Sequence, residues 1–162
     1  MTPEKAADPS TESKKQRIDR ELTELLGELR IALPGVQMLF AFLLAVPFTA
    51  RFTSISGVER GVFFVAFATA AISSIFLIAP SSNHRLTFRA HDKERLLFRA
   101  NKFAIAGLGA LALSIASVVY LITAMVLGEG YAPPTTLAAF ALIGATWYLL
   151  PLIRRAQQRG EG

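Results

Sequence analysis

Four stretches of this chain contain no Asp, Glu, Lys, Arg or His: 31–50, 61–79, 103–127 and 135–153. They are 20, 19, 25 and 19 residues long and make up about half of the 162 residues. A helix rises ~1.5 Å per residue, so about 20 residues cross a hydrocarbon core of ~30 Å. Each stretch therefore predicts a membrane-spanning helix. The third has residues to spare for tilt or a protruding end. A soluble helix must offer water a polar face, and none of these four carries a charged one. The polar remainder of the chain is too short to bury four such helices.

The segments between the stretches differ in charge. Segments 1–30, 80–102 and 154–162 hold 15 of the 17 Lys and Arg residues; 51–60 holds the other two and 128–134 none. Short loops rich in Lys and Arg stay in the cytoplasm. The expected topology therefore has both termini and the central segment inside, and the two short loops outside. The expected fold class is all-α: an integral membrane four-helix bundle with a cytoplasmic N-terminal amphipathic helix. The net charge of +5 and the pI near 10 then follow from topology. A nucleic-acid partner is not expected, because no base-reading or stacking motif accompanies the cations. The chain has no cysteine, which excludes disulfides, thiol catalysis and thiolate metal sites.

Residues 1–13 are polar and hold Pro3 and Pro9, a composition expected of a disordered tail. The charged lead before Ile31 is too long for a signal peptide. Residues 14–30 predict an amphipathic helix. Ile18, Leu22, Leu25, Leu26 and Leu29 fall on one face, and Arg17 with Glu21 and Arg20 with Glu24 are spaced to pair. That apolar face is the candidate surface for a protein partner or for self-association, with membrane lipid as the other contact. Pro34, Gly35 and Gln37 stand near the start of the first span and Pro47 near its end. Gln37 is the most polar side chain in any span, expected at the interface or bonded to a neighbouring helix.

Two small-residue stripes, Ala66–Ala70–Ser74 and Ala106–Ala110–Ser114–Ser117, predict packing seams. Pro133 and Pro134 suit a tight outer turn before the fourth span. In the central segment, Asp92 can cap a helix that runs through Leu96 and Leu97 into the third span. Arg85, Arg89, Lys93, Arg95, Arg99 and Lys102 form a basic collar whose natural counter-ion is lipid phosphate. Residues 154–162 form a second cytoplasmic tail.

Little in the chain points to catalysis. His84, His91, Asp92 and Glu94 are the only grouped metal-ligand types, and no third histidine or cysteine completes a closed site. No nucleophile elbow, zinc-protease motif or phosphate loop occurs. No cofactor, metal or enzymatic activity is expected. Coupled ion transport usually relies on ionisable groups inside the membrane, and the four spans hold none.

The run Glu28-Leu29-Arg30-Ile31-Ala32-Leu33-Pro34-Gly35-Val36-Gln37 resembles the signature of a family of small, four-span bacterial membrane proteins of unknown function. Pro47-Phe48, Arg51-Phe52, Pro80 followed by His84-Arg85, and Ala100-Asn101 also resemble its pattern, so the likeness covers residues 18 to 153. Some members carry a sodium/proton antiporter label. The resemblance implies a bacterial cytoplasmic membrane. It marks Glu28, Arg30, Pro34, Gly35, Gln37, His84 and Arg85 as a candidate polar cluster at the cytoplasmic side, with Glu28 pairing Arg30 or Arg85. The function expected is a non-enzymatic scaffold or regulator acting through the N-terminal helix and the basic loop. The alternative is a small transporter or channel subunit.

Overall fold

A computed structural model describes residues 14–86, 93–150, 153 and 157, with side chains described for 16–82 and 96–150 among them. The described residues form helices α1 (Lys14–Ala45), α2 (Gly57–Leu86), α3 (Lys93–Leu127) and α4 (Ala132–Gly144). Two 3-10 turns, Val46–Phe48 and Ala50–Ser54, join α1 to α2, and a π-helical turn, Ala145–Leu149, continues α4. Three helical stretches are long and apolar enough to cross a membrane: Gln16–Phe48, Gly57–Ser82 and Leu96–Leu127. As an unbroken α-helix α4 has 13 residues, ~20 Å at the usual rise. The fourth span expected over 135–153 is thus an α-helix interrupted by a π turn that returns to α-helix at Leu150.

The amphipathic helix expected over 14–30 and the first span expected from residue 31 are one continuous helix. One 32-residue helix runs from Lys14 to Ala45 with Pro34 inside it. Leu22, Leu29, Val36 and Leu43 are all buried, each seven residues from the last. Because seven residues make nearly two turns, this row stays on one side and crosses the boundary at Arg30 unchanged. Pro34 lacks an N–H and removes one intrahelical bond, but the continuous packing row holds the helix together.

The central segment is also more helical than a loop reading implies. α2 continues past the buried Pro80 to Leu86, and α3 starts at Lys93, ten residues before the charge-free stretch. The cap expected of Asp92 lies outside the described residues. At the other end, Pro133 and Pro134 occupy the first turn of α4 rather than a preceding turn. A proline there costs no hydrogen bond, because the first-turn N–H groups have no helical partner anyway. The reversal is made instead by Gly128, whose φ of +103° favours glycine.

Helices α1, α2 and α3 pack on one another, antiparallel at each chain reversal. Leu29, Val36, Leu77 and Ala104 form one cluster; Leu43, Phe63, Ala66, Ala70 and Leu121 form another. Phe40, Phe52, Phe63 and Phe67 stack around the second, with centroid distances of 5.0 to 6.4 Å. Among the described residues α4 packs on α3 alone, so α4 leans on the outside of a three-helix core. Gly109 and Thr123 of α3 face it, and Ala112 and Ala116 are buried on that same side.

The α2–α3 seam is the tightest contact. Ala66, Ala70, Ser73, Leu77 and Pro80 of α2 are buried against Ala100, Ala104, Gly107, Ser114 and Leu121 of α3. Of the expected stripes, Ala66, Ala70, Ser114 and Ser117 are buried, Ser74 and Ala110 are only half-buried, and Ala106 is exposed. Steps of four residues turn about 400°, so such a stripe drifts off the contact, whereas alternating steps of three and four stay on it. A Cβ on Gly107 would come within 2.8 Å of Leu77 Cγ and Cδ2, so the glycine is what allows the close approach.

Candidate functional site

The end of the molecule that holds the first half of α1 and the start of α3 carries most of the described charged side chains. There a shallow groove runs between the two helices, lined by Glu21, Glu24, Leu25, Glu28, Leu97, Phe98 and Asn101. Its acidic rim follows from the α1 pattern: with Leu22 and Leu29 turned inward, Glu21 and Glu28 fall beside them on the flank facing α3. Arg17 Nε donates to Glu21 Oε1 at 2.9 Å, and Arg20 Nε lies 3.7 Å from Glu24 Oε1, as the four-residue spacing predicts. Both pairs are solvent-exposed, so each contributes only about 0.3–0.5 kcal/mol. Phe98 is 66% exposed at the groove edge, an apolar ring beside carboxylates.

The apolar face proposed for a partner is largely used within the chain. Leu22 and Leu29 are buried, Ile18, Leu25 and Leu26 half-buried, and Leu25 packs on the cluster of Leu29, Val36, Leu77 and Ala104.

The seven sequence-predicted site residues divide. Glu28, Arg30, Pro34, Gly35 and Gln37 are all exposed on α1. At about 100° per residue, Glu28 and Gly35 lie on the flank facing α3, and Arg30 and Gln37 on the opposite flank. Two residues apart on a helix do not face each other, and among the described residues Glu28 and Arg30 form no ion pair. His84 and Arg85 lie in the last turn of α2; their side chains lie outside the described residues. Their backbone stands two turns beyond Leu77, which packs with Leu29 and Val36.

Among the described residues the buried polar ones are Ser73, Ser114 and Ser117. Ser73 Oγ donates to the Gly107 carbonyl and Ser114 Oγ to the Ala66 carbonyl, both at 2.8 Å and both across the seam. Ser117 Oγ donates to Leu113 in its own helix. Among the described residues no buried side-chain N or O lacks a hydrogen-bond partner, and none group as a metal site. His91 and Asp92 lie outside the described residues, as does the side chain of Glu94.

Two features at the opposite end escape a reading based on hydropathy. Ser56 and Glu59 cap α2 reciprocally: Ser56 N–H donates to Glu59 Oε2 at 2.7 Å and Glu59 N–H to Ser56 Oγ at 3.2 Å. The S-x-x-E spacing signals this box. Arg51 Nη2 donates to the Met125 carbonyl at 2.9 Å, so a cation from the first loop meets the negative end of the α3 dipole. Nothing local in the sequence marks that contact, which joins positions 74 apart.

No curated protein and no solved structure matches the chain. A model of DUF6328, a family of unknown function, matches residues 11–151. With most of its length inside that match, the chain belongs to the DUF6328 family.

Proposed function

We propose that this protein is a multi-pass protein of a bacterial cytoplasmic membrane, with both ends inside. In this reading it is not an enzyme. It scaffolds or regulates a protein partner through its charged end. The observation that carries this reading is the closed α2–α3 seam. Its buried hydroxyls each donate their one proton to a backbone carbonyl across the seam, which draws the two helices together, and no ionisable side chain is buried among the described residues. The outward surface supports a lipid setting. Ile31, Phe42, Phe64, Ile75, Ile122 and Leu137 are each more than half exposed, a density of bare apolar side chains that water disfavours. Membrane lipid is then one contact and the acidic groove with Phe98 the other. Neither a metal nor a cofactor enters this role.

The test pairs two measurements. A pulldown in mild detergent compares the native chain with Phe98→Glu, an exposed position whose change leaves the core intact. The reading expects a retained protein that Phe98→Glu loses, and no ion flux in proteoliposomes. Ion flux without a retained partner would overturn it and favour a small transporter or channel subunit.

A further inference from the structure

We propose that the outer face of α1 joins two copies of this chain through Gln37; the proposal rests on the membrane reading above. α1 carries two rows on different sides. The row of Leu22, Leu29, Val36 and Leu43 is buried within the chain. A second row, Pro34, Gln37, Ala41 and Leu44, alternates steps of three and four and is exposed at every position, and Phe48 in the 3-10 turn that follows is exposed too. Such spacing forms a continuous seam for a second helix.

Gln37 stands out in this row. It lies seven residues past Arg30, ~10 Å along the helix, inside a charge-free stretch. Every serine and threonine hydroxyl in the four charge-free stretches has a hydrogen bond, most to a carbonyl in its own helix. The Gln37 carboxamide has none among the described residues. A hydroxyl satisfies itself by bonding back to its own helix. A carboxamide brings two N–H donors and an acceptor and finds no such match in hydrocarbon.

A second copy supplies the match without invoking an unknown protein. A carboxamide is donor and acceptor at once, so Gln37 meeting Gln37 of another copy across a two-fold axis satisfies both. Ala41, one turn on, is small enough to let two backbones approach. Arg30, one turn before Pro34, stands toward the charged end, where long cationic side chains splay to phosphate. A single polar residue in an apolar seam also fixes register, because any slip leaves it unpaired.

The absence of cysteine makes the test direct. Ala41→Cys places one thiol on the proposed seam, and Ile122→Cys places one on an exposed face of α3 as a control. After mild oxidation of isolated membranes, Ala41→Cys gives a cross-linked dimer and Ile122→Cys does not. Adding Gln37→Leu lowers the Ala41→Cys dimer about tenfold, the scale of one interhelical polar bond; adding Gln37→Asn, which keeps the amide, retains most of it. No dimer from Ala41→Cys, or a dimer indifferent to Gln37→Leu, overturns the proposal. Recovery of the chain in the soluble fraction overturns the membrane reading with it, whereas a membrane-bound monomer overturns the dimer alone.

Discussion

The seam between α2 and α3 and the charged end of α1 differ in how their polar groups are used. In the seam, Ser73 and Ser114 each donate across to the other helix, and Gly107 lets Leu77 lie against its backbone. The hydroxyl protons there are used by the fold. At the charged end, Glu21 and Glu24 hold only exposed pairs, Glu28 has no ion pair among the described residues, and Phe98 stands uncovered. The seam maintains the structure. The charged end contributes little to stability and retains free surface.

That contrast can be broken by substitution. The largest effect is expected at Gly107. Gly107→Val drives side-chain atoms into Leu77 and should destabilise by about 1–3 kcal/mol or more, read as a lowered unfolding temperature by circular dichroism in detergent. Leu77→Ala in the same chain should relieve part of that loss, since the two positions touch. Ser73→Ala and Ser114→Ala should each cost about 0.6 kcal/mol, and at most about 1.7, the measured range for hydrogen bonds between membrane helices. A fully additive double variant would mean that the two bonds do not brace one seam. Arg51→Ala removes a cation from the end of α3 and should cost about 0.3–1 kcal/mol, less at high salt. Smallest of all, Arg17→Ala should change stability by no more than about 0.5 kcal/mol. If Arg17→Ala matched Gly107→Val in effect, the division between the two regions would fail.

Much of the fold is legible in the sequence because charge and hydropathy act over whole helices. Three of the charge-free stretches lie in helices long enough to cross a membrane. Finer features are lost where a local rule meets tertiary packing. Arg30 marks a change in charge, so it reads as a boundary, yet the row from Leu22 to Leu43 passes through it. Ala106 and Ser74 read as seam residues because four-residue spacing is easy to see; the packed positions alternate between three and four. α4 reads as a fourth bundle member, and no single-helix pattern reveals that among the described residues it packs on α3 alone. At the candidate site, residue types were legible and their angular positions were not: Glu28 and Arg30 are near neighbours in sequence and point apart on the helix.

The central claim is that these helices lie in a membrane with the charged end inside. Single cysteines in the otherwise cysteine-free chain test it most directly. Ser54→Cys marks the exposed first loop and Thr23→Cys the exposed start of α1. With a membrane-impermeant thiol reagent on intact cells, Ser54→Cys should label at once and Thr23→Cys only after lysis. Equal labelling of both in intact cells, or the reverse order, would contradict the account.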